Sequence, residues 1–134
     1  LQSPIQGCTL NPAFSGVEID IMESFKPGYV SHAVHWNGCG EDLQSKDKQS
    51  FPLEATPDGF HRFGLRWNKT GYTFFVDGKE SWHVDGPVSE TEQFILVSTE
   101  CMGYRTEEEK PCTEVQGSAP DEFVVDYVRV FDEI

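Results

Sequence analysis

No amphipathic helix of ten or more residues can be drawn in this 134-residue chain. Its apolar side chains recur instead at every second position, the period of a strand with one buried face. Val17, Ile19 and Ile21 alternate with Glu18 and Asp20, and Tyr29 to Trp36 reads as a second strand. A third runs from Phe60 to Trp67, after the turn residues Pro57-Asp58-Gly59. Tyr72 to Val76, Asp77-Gly78 and Ser81 to Val84 make the strongest short-range hairpin signal in the chain. Phe94 to Thr99 reads as a short apolar strand. Phe123 to Phe131 reads as the last, with Val125, Tyr127 and Arg129 on one face and Val124, Asp126, Val128 and Val130 on the other. The polar segments 37–50 and 103–121 read as long loops, the second carrying the solvated run Glu107-Glu108-Glu109. The class is all-β, a sandwich, in a single domain over residues 1–134.

Charge narrows the function. Lys and Arg number 10 against 23 Asp and Glu, a net charge of −13 that repels phosphate backbones and anionic lipid. Neither nucleic acid nor a membrane is therefore expected as a partner, and no apolar run approaches the ~18 residues of a membrane span. Aromatic residues make up 13% of the chain, enough to fill a core. The sequence opens without an initiator Met or a leader, so a removed signal peptide or a start within a longer protein is expected. Cys8, Cys39, Cys101 and Cys112 fit a secreted, extracellular protein with two disulfides, expected as Cys8–Cys39 and Cys101–Cys112. Free thiols or a zinc site are the alternatives, and the irregular spacing argues against zinc. Asn68-Lys69-Thr70 is a glycosylation acceptor if the source is a eukaryote.

The segment Glu18-Ile19-Asp20-Ile21-Met22-Glu23 carries the chemistry. A regular strand would place Glu23 on the core face with Val17, Ile19 and Ile21, costly for an unpaired charge. One extra residue near Ile21-Met22, a β-bulge, puts Glu23 back on the face of Glu18 and Asp20. Three carboxylates in a row raise at least one pKa, so one acid stays protonated while another is ionised. Glycoside hydrolysis needs that combination: a carboxylate to attack the anomeric carbon and a carboxylic acid to protonate the leaving oxygen. An exposed acidic strand in an acidic protein is the bland alternative.

That hexapeptide resembles the E-x-D-x-x-E catalytic strand of glycoside hydrolase family 16, which includes laminarinases, lichenases, agarases and carrageenases. Further segments resemble the same family in the same order: Val34-His35-Trp36-Asn37-Gly38, Phe60 to Trp67, Tyr72 to Gly78, Phe94-Ile95-Leu96, and Val125 to Phe131, which is similar to the closing "VDYVRVY". The resemblance implies a concanavalin-A-like jelly roll with a concave substrate cleft, and a retaining mechanism that requires no cofactor. Glu18 would be the nucleophile, Glu23 the general acid/base, and Asp20 the group tuning both. His35 would support substrate binding beside the catalytic strand. Asp126 matches a position that can hold a structural calcium; a solvent-facing or capping Asp is the alternative. Trp36, Trp82 and Tyr104 are candidate sugar platforms, with core packing the competing reading.

Family members carry the catalytic strand near the middle of the domain, whereas here it begins at residue 17. This chain is therefore expected to be the C-terminal half of a catalytic domain, its N-terminal half supplied by the same parent chain or a separate one. Only four Arg are present, and three lie inside the expected strands, so the sequence favours a neutral β-1,3- or mixed β-1,3/1,4-glucan over sulfated polymers, with agarose, also nearly neutral, as the alternative. The rivals are a lectin-like sandwich that binds sugar without catalysis, and a transglycosylase using the same carboxylates.

Overall fold

The computed structural model describes residues 1–3, 10–38, 40–99 and 122–132. They fall in two units, Leu1–Leu96 and Val97–Ile134. The first unit holds two three-stranded antiparallel sheets. One has the order β1-β2-β3, formed by β1 (Glu18–Glu23), β2 (Tyr29–Trp36) and β3 (Gln44–Pro52). The other has the order β4-β5-β6, formed by β4 (Phe63–Asn68), β5 (Gly71–Val76) and β6 (Lys79–Asp85). A single helical turn, α1 (Pro12–Ser15), precedes β1; Pro12 supplies its fixed φ at the first position, and the Asn11 side chain caps the Ala13 N–H at 3.2 Å. This is the all-β sandwich expected from the alternation, in keeping with the concanavalin-A-like fold that the resemblance implies.

The two sheets share one core. Val17, just before β1, and Ile19 and Val34 from the first sheet meet Tyr72, Phe74 and Val84 from the second, all buried. Each such side chain stabilises the fold by roughly 1.5–3 kcal/mol relative to exposure. The buried Tyr72 keeps its hydroxyl satisfied by accepting the Ser89 N–H at 2.9 Å. Asp77 and Gly78 have φ of +51° and +80°, the left-handed pair of a two-residue hairpin turn whose twist matches the strands. Asp77 accepts the Arg62 N–H at 2.9 Å and bonds His61 Nδ1 at 2.8 Å. Those bonds, Arg62 first, hold its carboxyl below the usual aspartate range. Gly71 is required by space: a Cβ there would lie 2.1 Å from the Val84 carbonyl oxygen.

Three expectations change. The segment 37–50 is not all loop: after a short 3-10 turn, Gly40–Asp42, it forms most of β3, paired along its length with β2. As an edge strand with most of its residues exposed, it needs no apolar alternation, and its lysines are typical of a guarded edge. Phe94 to Thr99 is not a strand beyond a single bridge between Phe94 and Gln2. Ile95, Leu96 and Val97 are exposed, and their apolar run has no ladder partner among the described residues. In the second unit, 122–132 likewise forms no ladder among the described residues, because a strand is completed only by a neighbour that takes its N–H and C=O groups. Its alternation persists locally: Arg129 lies over the Tyr127 ring, 4.5 Å from the centroid.

Candidate functional site

The site is built on β1. Its register against β2 pairs Glu18 with His35, Ile19 with Val34 and Asp20 with Ala33, then resumes at Glu23 with Ser31. Three steps along β1 thus match two along β2, so an extra residue is accommodated at Ile21-Met22. Without it, strand parity would turn Glu23 toward Val17 and Ile19, both fully buried. With it, Glu18, Asp20 and Glu23 all oppose residues of one face of β2. A second irregularity lies alongside: Val30 pairs with Phe51 but His32 with Lys48, so β3 also carries an extra residue.

Along this face runs a groove of about 400 Å³, lined among others by Glu23, Ser31, Ala33, His35, Asp47 and Gln49. Glu18 is exposed and Asp20 largely covered. His35 reaches across the pair of strands, its Nε2 3.2 Å from Asp20 Oδ2. Burial first, then the Glu18 and Glu23 carboxylates, push Asp20 up to about 6, while His35 pulls it the other way. Asp20 therefore keeps its proton to a higher pH than an ordinary aspartate.

The raised Asp20 pKa has a measurable sign. A carboxyl whose folded pKa lies above its unfolded value stabilises the fold below about pH 4 and loses that contribution as pH rises through about 6. Asp20→Asn is neutral at every pH. Its melting temperature should gain on the parent between about pH 4 and 7, by the equivalent of roughly 2 kcal/mol. A difference that stays constant across that range would mean Asp20 titrates normally.

The aromatic candidates separate. Trp36 and Trp82 pack against the core cluster, and Trp82 lies 5.0 Å from Phe74 between ring centroids, so core packing accounts for both. Trp36 follows His35 on the strand and therefore takes the opposite face, away from the groove. Tyr104 and the four cysteines, Cys8, Cys39, Cys101 and Cys112, lie outside the described residues. Phe25, 52% exposed at the groove beside Glu23, is an aromatic the sequence reading passed over. Ser45, Asp47 and Gln49 were passed over as well, because their segment reads as loop. Their signal was a polar period of two. Gln49 Nε2 donates to Asp47 Oδ2, an array of the type that hydrogen-bonds sugar hydroxyls.

Asp126 is exposed in the second unit, and no group of three metal-ligating side chains occurs among the described residues.

The bulged strand thus presents three carboxylates beside a histidine on one face of its sheet. The sequence pattern of glycosyl hydrolases family 16 matches residues 9–102, well over half the chain. The chain belongs to that family, and its general activity is that of a glycosidase. No curated protein and no solved structure matches it.

Proposed function

We propose that the chain carries the catalytic strand of a retaining, endo-acting glycoside hydrolase that cuts a neutral β-glucan, β-1,3-linked or mixed β-1,3/1,4-linked. The single observation that carries this reading is the bulge between Asp20 and Glu23, which brings both glutamates to one face. Glu18 attacks the anomeric carbon as the bond to the leaving oxygen breaks, and Glu23 gives that oxygen its proton. Glu23 then takes a proton from water, which displaces Glu18 and restores the starting configuration. Asp20, tied to His35, lies between them and keeps the pair in opposite protonation states.

The electrostatics of the groove support a neutral polymer. Glu18, Asp20, Glu23 and Asp47 share its face, and the lysines of β3 are spent elsewhere: Lys48 donates to the Ser81 carbonyl at 2.7 Å and Lys46 to that of Asp85 at 3.2 Å. Among the described residues, a sulfated chain would meet these carboxylates without a lysine or arginine beside them in the groove. Endo action is part of the same reading, supported by a groove that lies along the face of the sheet. Secretion, with two disulfides, is part of the same reading. So is completion of the sandwich by an N-terminal half, which the exposed Ile95 and Leu96 of the first unit support.

The test is a time-resolved proton NMR spectrum of laminarin or lichenan digestion by the full-length parent protein. The β-anomer should appear first, with chain length falling faster than reducing ends accumulate. The α-anomer first, or release of single glucose units from the outset, contradicts the reading.

A further inference from the structure

We propose that His32 is a positioning residue: it clamps the carbonyl oxygen freed at the β1 bulge to the opposite sheet, and so sets where Glu23 points. His32 is fully buried on the core face of β2, flanked by Val30 and Val34. Its Nδ1 lies 2.7 Å from the Ile21 carbonyl oxygen. A carbonyl only accepts, so Nδ1 carries the proton, and Nε2 is left to accept from the Ser81 hydroxyl at 2.8 Å on β6. The ring is fixed from its faces too, stacked 4.8 Å from Phe74 and tilted 5.4 Å from Phe51.

The bulge explains why such a clamp is needed. An extra residue breaks the regular exchange of N–H and C=O groups between β1 and β2. Ile21 stands inside that interruption, and a buried carbonyl without a donor costs about 1–3 kcal/mol. A bulge left to itself can also slide by a residue, and a one-residue slide returns Glu23 to the core face. The His32 ring removes both problems with one bond, because its far nitrogen is anchored across the core on the other sheet. Burial holds the imidazole below the usual histidine range, so the ring stays neutral and keeps the acceptor that Ser81 needs. Lys48, over Phe51 and bonded to the Ser81 carbonyl, adds to that effect.

This inference rests on the roles proposed for Glu18 and Glu23, and its test separates the two. In the full-length protein, His32→Leu removes the donor at similar volume, and His32→Asn keeps an N–H at the Nδ1 position. His32→Leu should lower kcat about 100-fold, as expected for an acid displaced by about an ångström, with KM changed less than about twofold. His32→Asn should recover most of that loss. Val84→Ala, an equally buried core change away from the bulge, should lower the melting temperature and leave kcat unchanged. Amide exchange at Met22 and Glu23 should accelerate in His32→Leu and not in Val84→Ala, whatever reaction the site performs. If His32→Leu does not fold, Ser81→Ala keeps the Ile21 bond but frees the far nitrogen, and should lower kcat several-fold with KM held. A folded His32→Leu with parental exchange at Met22 and Glu23 overturns the clamp. Accelerated exchange together with full activity in Glu18→Gln would leave the clamp standing and overturn the catalytic assignment instead.

Discussion

Glu18→Gln is expected to abolish turnover, by on the order of 10⁴-fold or more in kcat, while leaving glucan binding nearly intact. The amide has the shape and size of the carboxylate but cannot form the bond to the anomeric carbon. Glu18 is the exposed member of the three acids, so the substitution disturbs no packing. It also removes a charge that pushes Asp20 upward, so Asp20 in this variant should titrate below its parental value of about 6. The measurements are initial rates on laminarin and lichenan, with binding followed by calorimetry. A variant that retained more than a tenth of parental kcat would show that the nucleophile lies elsewhere.

Glu23→Gln should show a different signature, because a general acid acts only where a proton is required. On the polysaccharide, whose leaving group is a poor one, kcat should fall by about 10²–10⁴-fold. With an activated aryl glycoside the first step needs no acid and proceeds, and the second step becomes limiting for lack of a base. KM should therefore fall together with kcat as the covalent intermediate accumulates. Added azide needs no base to attack that intermediate, so it should restore turnover and give a glycosyl azide of retained configuration. Azide rescue of a Glu18 variant should instead give the inverted azide, by direct displacement from the opposite face. Finding the inverted azide from Glu23→Gln would exchange the two roles.

Much of this site was legible because two rules conflict within six residues. Period-two alternation assigns Val17, Ile19 and Ile21 to the core, and the same parity would bury Glu23. Only a bulge at Ile21-Met22 satisfies both, and β1 has its register shift there. Asp77-Gly78 was equally readable, since a two-residue turn with both φ positive admits few other pairs. β3 was not readable from apolar periodicity. An edge strand with a polar groove on one side can be built from Gln-Ser-Lys-Asp-Lys-Gln-Ser, and the pairing that makes it a strand belongs to β2. The apolar run at residues 94–99 fails for the opposite reason: its side chains favour a strand, but a ladder needs a second participant. His32 shows a third limit. A histidine between Val30 and Val34 looks like an interruption of a core face, and its partners, Ile21 and Ser81, lie 11 and 49 residues away in sequence.

The central claim is that the bulged strand of this family 16 chain forms a covalent bond to its substrate through Glu18. The most direct test is to trap that bond. A β-glucosyl or laminaribiosyl fluoride carrying fluorine at C2 destabilises the oxocarbenium-like transition states of both steps, while its good leaving group keeps the first one accessible. Incubated with the full-length protein, digested and mapped by mass spectrometry, it should leave one added sugar on the peptide containing residues 17–23, located at Glu18. A label on Glu23 or on any other residue would contradict the account. So would an unlabelled protein that hydrolyses the parent glucan with inversion.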